Sequence, residues 1–144
     1  METTTKDSKE TAGATVAPRL ITSHKLNGLN DALFITALDA PGNGGANHKY
    51  RISLYEPATA VPSPAIMSLE IDFQNGPILE AGFNGVSNEA LLAILIDRMQ
   101  GFQSGPYKSR DNACALTHLE EAMMWLQKRT RDRMARGVEG THKV

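Results

Sequence analysis

The stretch Met67-Ser68-Leu69-Glu70-Ile71-Asp72-Phe73 indicates the class of fold, because apolar and polar residues alternate along its whole length. Successive side chains of a β-strand point to opposite faces of a sheet, so the four apolar side chains share one face. Asn75-Gly76 follows, and this pair favours a type I′ turn, which needs positive φ at both central residues. We therefore predict that the strand forms a β-hairpin with residues 78–83.

Three shorter β-favouring runs precede this strand, at residues 20–22, 32–36 and 50–55, and Gly- and Pro-rich breaks separate them. The break Gly42-Asn43-Gly44-Gly45 lacks the Gly-Lys-Ser/Thr continuation of a phosphate-binding loop, which favours a simple hairpin loop. Residues 19–86 are therefore predicted to form a small antiparallel sheet.

The residues after this sheet favour helix. Ser87 or Asn88 can cap a helix over residues 89–99, which is apolar nearly all round, and a Gly-rich break follows at 101–106. A second helix is predicted over about 109–136. Its apolar positions repeat with the spacing of a seam that packs against one other helix: Leu116, Leu119, Met123 and Leu126. The predicted fold class is α+β, a small N-terminal antiparallel β-sheet followed by a C-terminal antiparallel two-helix hairpin.

The composition fits one globular domain. The chain has 144 residues, and its hydrophobic share of 41% is ordinary for a folded protein, although the first 18 residues lack any apolar period. We expect a flexible tail over 1–18 and one compact domain over 19–144, in which the helical hairpin and a C-terminal extension span 87–144. The net charge of −1 argues against attraction of the whole molecule to nucleic acid or membrane. The lone Cys114 excludes a disulfide within the chain.

Three arginines near the end of the second helix are candidates for an anion site. Arg129 and Arg133 are four residues apart and Arg136 is three further on, so they project from one helix face. Planar guanidinium groups bind phosphate bidentately, which favours a phosphate site. The alternative is a solvated helix terminus, where the helix dipole favours cations in any case.

An aromatic residue and an amide lie near the break between the two helices. Phe102 is placed in the loop, where its ring can stack on a base or cap the core of the hairpin. Asn112 falls in the first turn of the second helix, where it can read a base edge or cap the helix. The glycines of residues 137–142 can let backbone N–H groups approach a phosphate, or the segment can fray. The four histidines have no metal-ligand spacing, and no catalytic grouping is visible.

Taken together, these motifs resemble the helical-hairpin domain of the bacteriophage anti-Thoeris and anti-CBASS sponges. The resemblance covers residues 70–142, and the β-rich region before them makes the chain more similar to the anti-Thoeris type. It is carried by these motifs: Phe73-Gln74-Asn75-Gly76-Pro77, Ser87-Asn88-Glu89-Ala90-Leu91-Leu92, Gly101-Phe102-Gln103-Ser104-Gly105-Pro106-Tyr107, Arg110-Asp111-Asn112-Ala113, Leu119-Glu120-Glu121-Ala122, Trp125-Leu126, Lys128-Arg129-Thr130 and Arg136-Gly137-Val138-Glu139-Gly140-Thr141-His142.

The resemblance implies a protein that is not an enzyme and needs no cofactor or metal. Such sponges bind and sequester cyclic nucleotide immune signals, namely glycocyclic ADP-ribose isomers and, for CBASS, cyclic oligonucleotides. It further implies a hexamer built from dimers in the cytoplasm of the infected bacterial host, with no membrane or DNA partner. The ligand-binding residues it implies are Phe102 on a base, Asn112 on the nucleotide, and Arg129 and Arg133 on the phosphates. A possible separate cyclic-trinucleotide site comprises Arg136, Gly137, Gly140 and Thr141.

Two other classes of function stay open at this point. One is a structural or DNA-associated phage protein that applies its basic helix to a duplex, which would show a steep salt dependence. The other is a phosphodiesterase that degrades the signals, which would need a metal cluster or a general base that the sequence does not display.

Overall fold

The computed structural model describes residues 17–56 and 64–144, so most of the predicted flexible tail over 1–18 lies outside the described residues. The described residues form a four-stranded antiparallel sheet followed by a pair of long helices, which confirms the predicted α+β class. The sheet has the order β1-β2-β3-β4, and its strands are β1 (Arg19–Ile21), β2 (Leu33–Ala37), β3 (Lys49–Leu54) and β4 (Met67–Asp72). The helices are α1 (Gly28–Ala32), α2 (Ile78–Ala81), α3 (Asn88–Gln103) and α4 (Arg110–Ala135).

The register of the sheet separates an apolar face from a polar face. Ile35 pairs with Ile52, which in turn pairs with Leu69, so apolar side chains lie side by side across three strands. On the other face Arg51 bonds Glu70, with 2.6 Å between Nη2 and Oε1. The alternation predicted for β4 is therefore confirmed, and the apolar face is the one turned toward the helices.

The predicted hairpin through residues 78–83 is wrong. Gly76 does adopt positive φ, at 87°, but none of the described non-glycine residues does, so Asn75 cannot complete a type I′ turn. Pro77 follows immediately and has no N–H to donate to a sheet ladder. Instead its carbonyl accepts from Glu80 and Ala81, which opens the short helix α2.

Side-chain amides bind this region together where strand pairing was expected. The Gln74 amide donates to the carbonyls of Gly76 and Gly82 and accepts from the Asn84 N–H. After this turn, Val86 forms a parallel bridge with Phe73, just beyond the end of β4, and the Val86 N–H donates to the Asp72 carbonyl at 2.8 Å. Gly85 permits this approach, because a Cβ there would lie 2.4 Å from the Phe73 carbonyl carbon.

The helical hairpin is confirmed. Ser87 caps α3 by accepting from the Ala90 N–H at 3.1 Å, and Ser109 caps α4 by accepting from the Asn112 N–H at 3.1 Å. The two helices pack against each other, with half-buried residues along the predicted seam: Leu116, Leu119, Met123 and Leu126. None of the helices in the described ranges is long and apolar enough to cross a membrane.

The first helix of the pair continues further than residue 99. It runs to Gln103, so Phe102 lies in the last helical turn and not in the loop where the sequence analysis placed it. The turn is closed by the Gln103 side chain, whose amide donates to the Ser109 carbonyl at 3.1 Å and accepts from the Ser109 N–H at 3.0 Å. Backbone hydrogen bonding also continues past Gly101, because the Ser104 N–H donates to the Gln100 carbonyl at 3.0 Å.

Candidate functional site

A cleft of about 840 Å³ separates the apolar face of the sheet from the helices. We call it the sheet–helix cleft; its sheet side includes His48, Tyr50 and Phe73, and its helix side includes Arg129 of α4 and the N-cap of α3, Ser87. The rings of Tyr50 and Phe73 meet edge to face, with 5.7 Å between their centroids. The cleft thus combines an aromatic floor with one arginine on its helix side, and a nucleotide base and phosphate prefer these two kinds of group.

Arg129 is the cation available to a ligand in this cleft. Its side chain is exposed, and among the described residues it has no hydrogen-bond or salt-bridge partner. The neighbouring basic residues differ, because Lys128 is paired with Asp132 at 2.6 Å and Arg131 donates to Gln127. The predicted phosphate role of Arg129 therefore has both an open guanidinium group and a cavity beside it.

The Arg133 guanidinium group is hydrogen-bonded to other residues of its own chain. Its side chain is only 11% exposed, and its Nε donates to Glu139 Oε2 at 3.1 Å. Its two terminal nitrogens donate to the carbonyls of Val138, Thr141 and Lys143 at 2.8–3.0 Å. Four of the five guanidinium donors are used, so the group clamps the C-terminal segment to the end of α4.

The segment after α4 is also attached to α2. The Leu79 N–H donates to the Gly140 carbonyl at 3.1 Å, and the His142 ring hydrogen-bonds the Glu80 carboxylate. Gly140 itself is buried with φ of 78°, and a Cβ there would lie 2.9 Å from Leu79 Cγ. Gly140 thus has a packing role. Of the other residues in the predicted trinucleotide site, Arg136 and Gly137 are exposed and Thr141 is half-buried.

Gly140→Ala is expected to lower the free energy of unfolding by about 2–4 kcal/mol, since it adds both left-handed backbone strain and a steric clash. Gly137→Ala is the matched control. Its φ is 70°, but no atom lies within 4 Å of the added Cβ, so we expect only the strain of about 1–2 kcal/mol. Urea denaturation measures both variants, and equal losses would show that the contact with α2 contributes nothing.

Phe102 and Asn112 lie at the opposite end of the hairpin from the arginines. The Arg98 guanidinium stands over the Phe102 ring, 5.0 Å from its centroid, and the Asn112 side chain donates to the Tyr107 carbonyl at 3.4 Å. Seventeen residues of α4 separate Asn112 from Arg129, which corresponds to about 25 Å along a helix. One chain therefore does not bring the four predicted ligand residues together.

Two features of the site were missed by sequence reasoning. Trp125 is 70% exposed and lines a groove of about 390 Å³ together with Arg129 and Arg136. It precedes Arg129 by four residues, and this spacing, which puts both residues on one helix face, could have identified Trp125 as a site residue. His48 and Tyr50 reach the cleft only through the register of the sheet, for which the sequence carries no local signal.

The comparisons with known proteins each concern about half of the chain. Residues 65–131 match the Acb2/Tad1 hairpin domain, a range that includes Phe102, Asn112 and Arg129 and ends before Arg133. A stretch of 72 residues is 57% identical to a Bacillus phage SBSphiJ7 protein named Thoeris anti-defense 1. That alignment covers 50% of this chain and 51% of the phage protein, so the match spans about half the length of the curated relative.

Proposed function

We propose that the chain, whose residues 65–131 match the Acb2/Tad1 hairpin domain, is a phage anti-defence protein that binds cyclic nucleotide immune signals and sequesters them. The ligand class we propose is glycocyclic ADP-ribose isomers, with cyclic oligonucleotides as a possible second class. The observation that carries the proposal is the Arg129 guanidinium, which has no partner among the described residues and lies beside a cleft floored by Tyr50 and Phe73. Sequestration needs no bond to break, only groups that hold the phosphates and the base.

The binding pocket we propose is shared between two copies of the chain. Asn112 lies about 25 Å from Arg129 along α4, and Phe102 lies at the same end of the hairpin as Asn112, in the last turn of α3. These residues can therefore reach the same small ligand as Arg129 only if they come from different protomers. Two hairpins related by a twofold axis and packed antiparallel place the turn of one beside the arginine end of the other. The exposed apolar side chains of the hairpin supply the surface for this packing: Ile94, Leu95, Met124 and Trp125.

Assembly and affinity are linked in this proposal. A sponge depletes a signal only if its dissociation constant lies well below the concentration of the signal, and nanomolar binding corresponds to about −12 kcal/mol. A cleft on one protomer leaves much of a dinucleotide in water, whereas a second protomer can cover it. Charge-assisted hydrogen bonds from Arg129 then form in a drier site, where they are stronger. The hexamer built from dimers that the resemblance implies is one assembly that meets this requirement.

Recovery of unchanged ligand tests the proposed function directly. The full-length protein is incubated with glycocyclic ADP-ribose, separated from free ligand and then denatured. We expect the ligand to be released intact and in a stoichiometric amount, as measured by mass spectrometry. A chemically altered product would indicate an enzyme, and no retained ligand would contradict binding of this signal.

A mixing experiment tests the shared pocket. Arg129→Ala and Phe102→Ala are each expected to abolish most binding alone, because every pocket then lacks one contact. After the two variants are mixed and allowed to exchange subunits, a mixed dimer has one pocket with both wild-type residues. We expect recovery of about one quarter of the wild-type binding capacity.

The control for this experiment is a mixture of Arg129→Ala with itself after the same treatment, which should recover nothing. Subunit exchange is verified independently by native mass spectrometry of a mass-tagged variant. Exchange without recovery of binding would show that the pocket lies within one chain.

A further inference from the structure

We propose that His48 contacts the ligand in the sheet–helix cleft, where its imidazole hydrogen-bonds the nucleotide whose phosphate Arg129 holds. The inference rests on the proposed function, and it assigns the β-sheet region a residue in the pocket. It concerns a hydrogen bond from a ring nitrogen to a phosphate or ribose oxygen. His48 itself lies outside residues 65–131, the range that matches the family.

The first argument is an unsatisfied buried nitrogen. His48 is only 9% exposed, and its Nδ1 is buried without a hydrogen-bond partner in the described residues. A buried polar group left unpaired costs about 1–3 kcal/mol, so such groups in a folded protein call for an explanation. No other hydrogen bond of the ring occurs in the described part of the chain, so the imidazole is uncommitted where it lines the cleft.

The second argument is that the structure holds this ring in place. The Asp39 carboxylate accepts from the backbone N–H groups of His48 and Lys49, at 3.0 and 3.2 Å, and from the Asn47 amide. Burial raises the pKa of the Asp39 carboxyl, but these hydrogen bonds outweigh it and the net effect lowers the pKa, so the carboxylate stays ionised near neutral pH. On its other side the ring lies against Gly42, where an added Cβ would be 3.2 Å from Nδ1.

The third argument is the position of His48 within the cleft. The Phe73 N–H donates to the His48 carbonyl at 2.7 Å, which places His48 next to the aromatic floor formed by Tyr50 and Phe73. Arg129 stands on the helix wall of the same cleft. Of the two acidic residues that line it, Glu139 is paired with Arg133, and Glu89 lies in the first turn of α3, where its charge is favoured by the dipole.

The chain contains a matched control, His24. Its Nδ1 is also buried without a partner among the described residues, while its Nε2 donates to the Leu33 carbonyl at 2.7 Å. His24 does not line the sheet–helix cleft. The two histidines therefore share a buried, unsatisfied nitrogen and differ in access to the proposed ligand.

The experiment titrates full-length wild type, His48→Phe and His24→Phe with glycocyclic ADP-ribose by calorimetry. Phenylalanine keeps a ring against Gly42 and removes the hydrogen bond, so we expect His48→Phe to bind about tenfold more weakly. His24→Phe should keep the wild-type affinity even though it loses stability. The role of His48 alone would be overturned if His48→Phe bound as tightly as wild type while Arg129→Ala bound much more weakly. If wild type itself did not bind, the proposed function would be overturned.

A second measurement covers the case in which His48→Phe does not fold. The ring nitrogens of 15N-histidine-labelled wild-type protein are followed by NMR while glycocyclic ADP-ribose is added. We expect the His48 nitrogen resonances to shift and those of His24 to stay. Unchanged His48 resonances under conditions where calorimetry shows binding would overturn the proposal.

Discussion

Arg129→Ala is expected to weaken binding of glycocyclic ADP-ribose at least about 100-fold without lowering the thermal midpoint of unfolding. A bidentate arginine makes two charge-assisted hydrogen bonds to a phosphate, each worth about 1.5–3 kcal/mol, and every 1.4 kcal/mol is a factor of ten. The free protein loses nothing comparable, because Arg129 has no partner among the described residues of its own chain. Calorimetry gives the affinity and thermal denaturation gives the stability.

Arg131→Ala is the matched control for this prediction. It removes the same charge from the same helix, at an exposed arginine whose recorded bond is to Gln127 at 3.4 Å. We expect its affinity to remain within about threefold of wild type, since Arg131 does not line the sheet–helix cleft and an exposed charge without a ligand contact is partly screened by salt. An equal loss in both variants would mean that the ligand responds to the overall charge of α4 and not to a contact with Arg129.

Arg133→Ala is expected to lower the free energy of unfolding by about 2–4 kcal/mol and to release residues 138–143 from α4. The substitution removes four hydrogen bonds at once and leaves the Glu139 carboxylate and three carbonyls without their donor. Urea denaturation measures the stability. Hydrogen exchange followed by mass spectrometry measures the release, as faster exchange in the C-terminal peptide.

Substitutions of Arg133 also distinguish its structural role, as a clamp on the C-terminal segment, from a role in binding phosphate. The resemblance implies that Arg133 holds a phosphate, whereas its geometry leaves one guanidinium donor free for that purpose. If Arg133 is structural, we expect Arg133→Lys to lose nearly as much stability as Arg133→Ala. A lysine ammonium group cannot reach the four acceptors that the planar guanidinium group bonds. Full stability in both variants with abolished binding would contradict the clamp and establish a ligand contact.

Local patterns predicted most of the secondary structure because the interactions that form it are local. The alternation of residues 67–73 identifies β4, and Ser87 and Ser109 cap the two long helices as expected. The seam that begins at Leu116 packs against the neighbouring helix, since its 3-4-3 spacing requires a partner of that shape. The two caps act over three residues, and each periodicity is visible within a short stretch of sequence, whichever partner it later packs against.

Prediction failed where two local signals competed. Asn75-Gly76 favours a hairpin, but Pro77 removes a donor that the returning strand needs, and the amides of Gln74 and Asn84 replace the missing ladder. The helix boundary at residue 99 was also wrong, because α3 continues through Gly101 to Gln103, whose side chain bonds Ser109 six residues away. In both places side-chain hydrogen bonds that no propensity describes accompany the observed structure.

The sequence alone determined that a row of arginines would end a long helix, because periodicity places residues on a helix face without reference to the rest of the fold. Only the tertiary structure decided that Arg129 is open to the cleft while Arg133 is bonded to residues 138–143. It also brought His48 and Phe73, which are 25 residues apart, to one side of that cleft. Which side chain is free and which is paired depends on long-range contacts, and those form only when the sheet, the helices and the C-terminal segment come together.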